Sequence, residues 1–509
     1  MEISRRNLIG SKAVRRGNVP TMNRILTLAL LLGASMGSTA TYTFTANVAD
    51  GLAMVRVELG SERSSKRFDM PAWAPGDYAI LNYGQYVRSI KFTRKGEVVE
   101  HKQGSGPNTW EIPTGADMVE YTIAPSRGNF TPNLRMRDKE TFISGPGVFG
   151  WFDGAAKEPQ ALWMTRPSAD WKVVSSLRTG QQEPRRAEVI AADYDELIDA
   201  PIVASPSVRV HEFMVGGKPH WIVGYGQAEG VDLAGFATVS KGAPEQALQL
   251  FGELPYERYL FMFDFGGPGG GLEHRDSARM GISPRQSPAS ARGLIYHEYV
   301  HTFNVKRIRA EALGPFDYTK PAITGTLWWL EGVTDYYGEV FQMRAGHIDR
   351  DQFVAEMRGT FDQVSTGAYL EVSADEASRR VWETRGSYGY GGISYYTKGR
   401  AAGALLDLAI RAHSGGKRSL DDVMKKLWDE CKEDQPGYKD ARIRELCVEF
   451  GGSALGPIYD STVIKAGPMP FAEALKPWPF VMFSRDRGFV VAADANAAVF
   501  AQWPLPVKR

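Results

Sequence analysis

The run Tyr296-His297-Glu298-Tyr299-Val300-His301 restricts this chain more than any other stretch. Residues four apart share one face of a helix, so His297 and His301 can turn ring nitrogens to one metal ion, with Glu298 one step round beside its open side. The spacing predicts a helix, and the flanking Leu294 and Ile295 predict that it is buried. A buried helix with three such polar groups needs partners for all of them, and one metal ion satisfies them together. Zinc in a catalytic site takes three protein ligands and keeps a fourth position for water, so a third ligand must come from elsewhere. Glu331 offers it, in a second predicted helix over 327–337, where Asp335 falls one turn later and can orient a ligand histidine. Two histidines, a ligand glutamate and a free glutamate make a hydrolase-type site, expected to hold one zinc ion per chain.

With 509 residues, the chain has room for two or three domains, and a net charge of +1 gives no basis for nucleic acid or an acidic membrane surface as partner. Peptides or small molecules remain. The start reads as a targeting segment over 1–40: a short basic Met22-Asn23-Arg24, an apolar run over 25–34 too short to span a bilayer, and a small-residue cleavage site ending at Ala40. Translation can begin at Met22 as well as at Met1. No cysteine follows the apolar run to carry a lipid, so the expected product is exported, periplasmic or secreted, with no stable membrane anchor. Cys431 and Cys447 are the only cysteines and lie in helical-looking sequence, either as a disulfide or as two buried thiols. Oligomeric state is left open.

From 41 to 225 short runs alternate apolar and polar residues between Gly, Pro and Asp, as in Met118-Val119-Glu120-Tyr121-Thr122-Ile123. That is the strand signature, and it predicts an N-terminal sandwich-like β domain. The segment 71–78, Pro-Ala-Trp-Ala-Pro-Gly-Asp-Tyr, reads as a turn between strands. A catalytic domain is expected over 226–393. Within it an aromatic strand over 256–265 runs into Gly266-Gly267-Pro268-Gly269-Gly270-Gly271-Leu272-Glu273. Glycines after a strand let a backbone lie against an extended peptide, or serve only as a linker. No Lys-Ser or Lys-Thr follows, and Glu273 would repel an anion, which excludes a phosphate loop. A lone carboxylate there suits a substrate's free amine. A glycine- and tyrosine-rich loop over 386–399 then leads into an amphipathic helix over 401–413, stopped by Gly415-Gly416, and Ser419 reads as the N-cap of the next helix. The remainder, 394–509, reads as helical.

Several motifs in a fixed order resemble the glycyl aminopeptidase family of gluzincin metallopeptidases. They are Pro-Ala-Trp-Ala-Pro-Gly-Asp-Tyr at 71–78, Gly-Gly-Leu-Glu-His at 270–274, His-Glu-Tyr-Val-His-Thr-Phe-Asn-Val-Lys-Arg-Ile at 297–308, Leu-Gly-Pro-Phe-Asp-Tyr at 313–318, Trp-Leu-Glu-Gly-Val-Thr-Asp-Tyr-Tyr at 329–337 and Ser-Tyr-Tyr-Thr-Lys-Gly at 394–399. The resemblance implies His297, His301 and Glu331 as zinc ligands and Glu298 as general base. It further implies that Tyr396 stabilises the oxyanion and that Gly270, Gly271 and Glu273 hold the substrate's backbone and amino end. The implied fold class is α+β and multidomain: an N-terminal β-sandwich-like domain, a thermolysin-like α/β catalytic domain and a helical C-terminal part. The PDZ domain common at the end of family members is not expected here.

The expected function is therefore an exported zinc aminopeptidase removing small amino-terminal residues, Gly or Ala, from peptides, the side-chain preference resting on the family alone. An endopeptidase on the same scaffold is the alternative, and Glu273 separates the two, because an amine-binding carboxylate obstructs a chain that must continue past it. A non-catalytic peptide-binding protein has no physical need of Glu298.

Overall fold

The computed structural model describes residues 40–507 apart from 60–64, 127–131, 155, 385–387, 433–435, 480 and 492–499. The leader read in the sequence lies outside the described residues up to 39, and the first strand starts at Ala40. Among the described residues no helix is long and apolar enough to cross a membrane.

Up to Ser205 the chain builds three sheets. The eight-stranded one is centred on Ala40–Asn47, antiparallel to Leu52–Leu59 and parallel to Gln160–Thr165. Period-two alternation sets its faces: Ala40, Tyr42 and Phe44 are buried and the threonines between them only partly so. Two four-stranded sheets add Phe68, Trp110 and Phe152, and Leu134, Ile143 and Ile202, to the same core, which gives the sandwich-like arrangement expected.

The expected division at 225/226 falls earlier. Strands β1 (Arg209–Val215) and β2 (Lys218–Gly226) form a hairpin, and β2 runs parallel to β3 (Tyr259–Phe265) from His220 opposite Tyr259 to Gly226 opposite Phe265. Both therefore belong to the next sheet. With β4 (Gly270–Glu273) and β5 (Ser277–Ile282) the order is β1-β2-β3-β5-β4, β5 parallel to β3 and β4 antiparallel on the open edge. The end of the glycine run is thus an edge strand and not a linker, with backbone open to an extended peptide. Alternation alone cannot say which sheet a strand joins, so only the pairing assigns these two strands.

Helix α1 (Pro288–Val300) packs on β4 and β5. Ser287 starts it by accepting from Ser290 N, with Pro288 in the first turn, where its missing N–H costs nothing. The second predicted helix begins as a π-helical turn, Trp328–Val333, and continues as α2 (Thr334–Arg344). Helix α3 (Tyr395–His413) starts six residues ahead of the amphipathic run expected from 401, taking in Tyr396. It is buried on nearly every face, because its Ala and Gly positions let helices close in on all sides. Gly415 and Gly416 end it in the left-handed region (φ 63° and 78°), and the next helix, Leu420–Cys431, starts after Ser419. One hydrophobic core runs from the catalytic sheet through these helices, so no break in packing marks the expected division at 393/394. Cys431 and Cys447 are both buried free thiols. The C-terminal part also holds a hairpin, Val481–Ser484 with Gly488–Val491, beside its helices.

Candidate active site

His297 leaves the last turn of α1 and His301 is the residue that caps it, so the two rings stand one turn apart with their Nε2 atoms 3.0 Å from each other. Glu331, on the π-helical turn, brings Oε2 to 3.1 Å from His301 Nε2 and 3.8 Å from His297 Nε2. A wider π turn in a helix commonly marks a functional residue, and here it carries the Glu331 carboxylate, which with His297 and His301 could hold a metal ion. The triangle fits zinc: tetrahedral bonds of about 2.05 Å place donor atoms about 3.3 Å apart. The other side of each ring is held. His297 Nδ1 lies 2.8 Å from Asp335 Oδ1, and His301 Nδ1 contacts the carbonyl of Asn304 at 2.9 Å, leaving both Nε2 atoms turned inward. Burial opposes charge on His301, but the adjacent Glu331 carboxylate outweighs it and pushes the ring up to about 10. Three buried carboxylates, Glu273, Glu298 and Glu331, surround these two imidazoles, a donor set suited to a metal cation.

Glu298 is 4% exposed, and burial pushes its carboxyl up to about 7. It rests against β4 so closely that a Cβ at Gly271 would fall 2.0 Å from Glu298 Oε1. Gly271 is therefore glycine first of all to admit Glu298. Gly270, one residue earlier, has φ 101° at the open end of the strand, where a side chain would be strained. Glu273 is 5% exposed, and its Oε1 is buried without a hydrogen-bond donor among the described residues. Its carboxylate also packs on Gly76, where a Cβ would lie 2.9 Å from Oε1.

Tyr396 stands in the first turn of α3, its ring 5.9 Å from that of His297 and near parallel to it. Burial pushes its hydroxyl well above the usual phenol range, so it remains a proton donor. Two glycines bring it there. A Cβ on Gly332 would lie 2.4 Å from Gly399 Cα, and one on Gly399 would lie 2.1 Å from Trp328 O, so the π turn and α3 touch backbone to backbone. These residues, His297, Glu298, His301, Glu331, Asp335, Tyr396, Gly271 and Glu273, line one cavity of about 540 Å³. Gly270 lines a groove that continues from it along β4, also bordered by Leu294, Ser283 and Gln286.

Sequence reasoning missed four contributors. Asn304 fixes His301, its own amide donating to Trp329 O (2.8 Å) and Thr334 Oγ1 (3.0 Å). Gly332 and Gly399 set the approach of α3, and Tyr78 reaches in from the segment read only as a turn. Each lay inside a quoted motif, which was the available signal. A larger cavity, about 700 Å³, opens behind Pro75; in it Lys306 is paired with Asp199 at 2.8 Å and the Tyr318 hydroxyl donates to Asp195 at 2.6 Å.

The family signature of the M61 glycyl aminopeptidases matches residues 290–402, and that of the peptidase M61 N-terminal domain matches residues 41–206. Together they span more than half of the chain. The chain belongs to the M61 glycyl aminopeptidase family. It is accordingly a zinc metallopeptidase, and the matched stretch contains both histidines, Glu298, Glu331 and Tyr396. Among solved structures, an aminopeptidase N family protein from Idiomarina loihiensis is similar at 24% identity and TM-score 0.78, over 87% of this chain and 78% of that one. An M1 zinc metallopeptidase from Deinococcus radiodurans (13%, TM-score 0.54, 85% of this chain and 95% of that one) and the yeast LTA4 hydrolase (12%, TM-score 0.54, 85% and 68%) share the fold. No curated protein matches the sequence. The M61 N-terminal match ends at 206, where the strand pairing also changes sheet.

Proposed function

We propose that this M61 peptidase is an exported aminopeptidase with one zinc ion per chain, removing small amino-terminal residues, Gly or Ala, from peptides. The observation that carries the exopeptidase reading is Glu273: a buried carboxylate with an unpartnered oxygen at the end of the cleft, closed off behind by Gly76. A protonated α-amine supplies both the charge and the donors this oxygen lacks. The apolar leader of the sequence supports export.

His297, His301 and Glu331 would hold the metal, which supplies Lewis-acid polarisation of the scissile carbonyl and of a water. Glu298 takes the proton of the attacking water and returns it to the leaving nitrogen, a task suited to a buried carboxyl whose affinity for protons lies near neutrality. Tyr396 donates to the carbonyl oxygen as charge develops on it. Glu273 and Glu298 fix the substrate's direction. With the amine at Glu273 and the scissile bond beside Glu298 and Gly271, the leaving peptide runs back along the open edge of β4 toward Gly270 and the groove beyond.

The test is a pair of rate ratios, wild type over Glu273→Gln, on one glycyl peptide with a free and an acetylated amino end, with metal analysis and chelator controls. About one equivalent of zinc, activity lost to chelator, and a much larger ratio for the free amine are expected. Equal ratios, or ready cleavage of the blocked peptide by wild type, leave the endopeptidase standing.

A further inference from the structure

Gly76 and Tyr78 reach the site from outside the catalytic sheet and its helices. The segment 71–78 is fastened to the catalytic side at two points: Ala72 N donates to Tyr318 O at 2.8 Å, and Trp73 Nε1 donates to Asp317 O at 3.0 Å. A tight turn follows, closed by Asp77 N donating to Ala74 O at 3.0 Å, with Gly76 left-handed at φ 88°. Tyr78 emerges from this turn fully packed, its ring edge-on to Trp382 and Tyr395 at 6.0 and 6.5 Å. Its hydroxyl donates to Glu331 Oε1 at 3.3 Å. The direction of that bond is fixed, because an ionised carboxylate only accepts and the phenol hydroxyl is the donor.

The two oxygens of Glu331 therefore have separate partners, Oε2 facing the histidines and Oε1 facing Tyr78. A four-coordinate site with three protein donor atoms keeps its fourth position for water when the carboxylate binds through one oxygen; a second oxygen from the same group would crowd that position. We propose that Tyr78 is a positioning residue for the metal carboxylate: by engaging Glu331 Oε1 it leaves Oε2 alone to complete the set with His297 and His301. The N-terminal β unit then supplies a working part of the catalytic site, and its packing on the catalytic side has a chemical purpose. The proposal rests on the zinc reading above.

Tyr78→Phe tests it, since the ring and its packing on Trp382 and Tyr395 remain and one hydroxyl is lost. Groups that orient metal ligands cost about tenfold or more in metal affinity when removed, so the variant should hold zinc at least about tenfold more weakly in competition with a chelator. Its kcat on a glycyl arylamide should fall with KM little changed, and its metal-free form should melt at the wild-type metal-free temperature. Zinc affinity within about twofold of wild type overturns the proposal, as does a lowered melting temperature of the metal-free form, which would make the hydroxyl a fold contact. Wild-type protein that binds no zinc would sink the metal reading itself. Wild type and variant binding zinc equally would sink only the role of Tyr78.

Discussion

Gly271→Ala offers the sharpest test of how the base is held. The added Cβ would lie 2.0 Å from Glu298 Oε1 and 2.3 Å from its Cδ, where ordinary contact starts at 3.4 Å. The strand cannot retreat, because Gly271 is paired with Met280 in the sheet, so the carboxylate must move by at least about 1 Å. A misplacement of that size costs about a hundredfold in rate, or about 2.7 kcal/mol of transition-state stabilisation. The three atoms nearest the added methyl all belong to Glu298, so zinc content should be unchanged. The assay is hydrolysis of a glycyl arylamide, with metal analysis on the same preparations. Glu298→Asp, which withdraws the carboxylate by one methylene, supplies the internal control. Alone it should be slow, but adding Gly271→Ala to it should cost little more, giving a coupling above about 1 kcal/mol in the double-mutant cycle. A Gly271→Ala enzyme within about threefold of wild type, or a doubly substituted enzyme whose losses simply add, would refute the reasoning.

Two further outcomes follow from the geometry. Tyr396→Phe should lower kcat by about a hundredfold with little change in KM, as expected for a donor used only when the oxyanion forms; an effect confined to KM would make Tyr396 a substrate-binding group instead. Lys398, buried, donates to the carbonyls of Tyr369 and Val372, and burial pushes its ammonium down to about 8 from 10.5. The unfolded chain therefore binds more protons between those values, so this residue's contribution to stability is level below pH 8 and rises with pH above it. Between pH 8 and pH 10 the stability of wild type over Lys398→Met should grow by about 2 kcal/mol in urea melts, and an unchanged difference would sink the assignment.

The helix with His297, Glu298 and His301 was legible because it is a local matter: helical period alone puts the two rings on one face and Glu298 beside them. The same rule placed Asp335 one turn beyond Glu331, and capping chemistry placed the ends of the helices around Gly415, Gly416 and Ser419. The alternation at Met118–Ile123 fixed that strand to the residue. Where the code is short-range, it was read correctly.

Other features depend on which surfaces meet. Nothing near Val210 or Ile222 says that their strands join the sheet of β3 and leave the N-terminal sheets, since alternation is the same in either place. The π turn at Glu331 meets α3 backbone to backbone at Gly332 and Gly399, a contact between distant segments, and the run that looked amphipathic is enclosed only because other helices surround it. Tyr78 meets Glu331 across 253 residues of sequence. The sequence by itself determined that His297 and His301 share one helix face with Glu298 beside them, and that the chain starts β-rich, each set by residues within one turn or one strand. The tertiary structure alone decided what holds those groups in place, because a hydrogen bond or a backbone contact between distant segments exists only once the surfaces carrying them have packed.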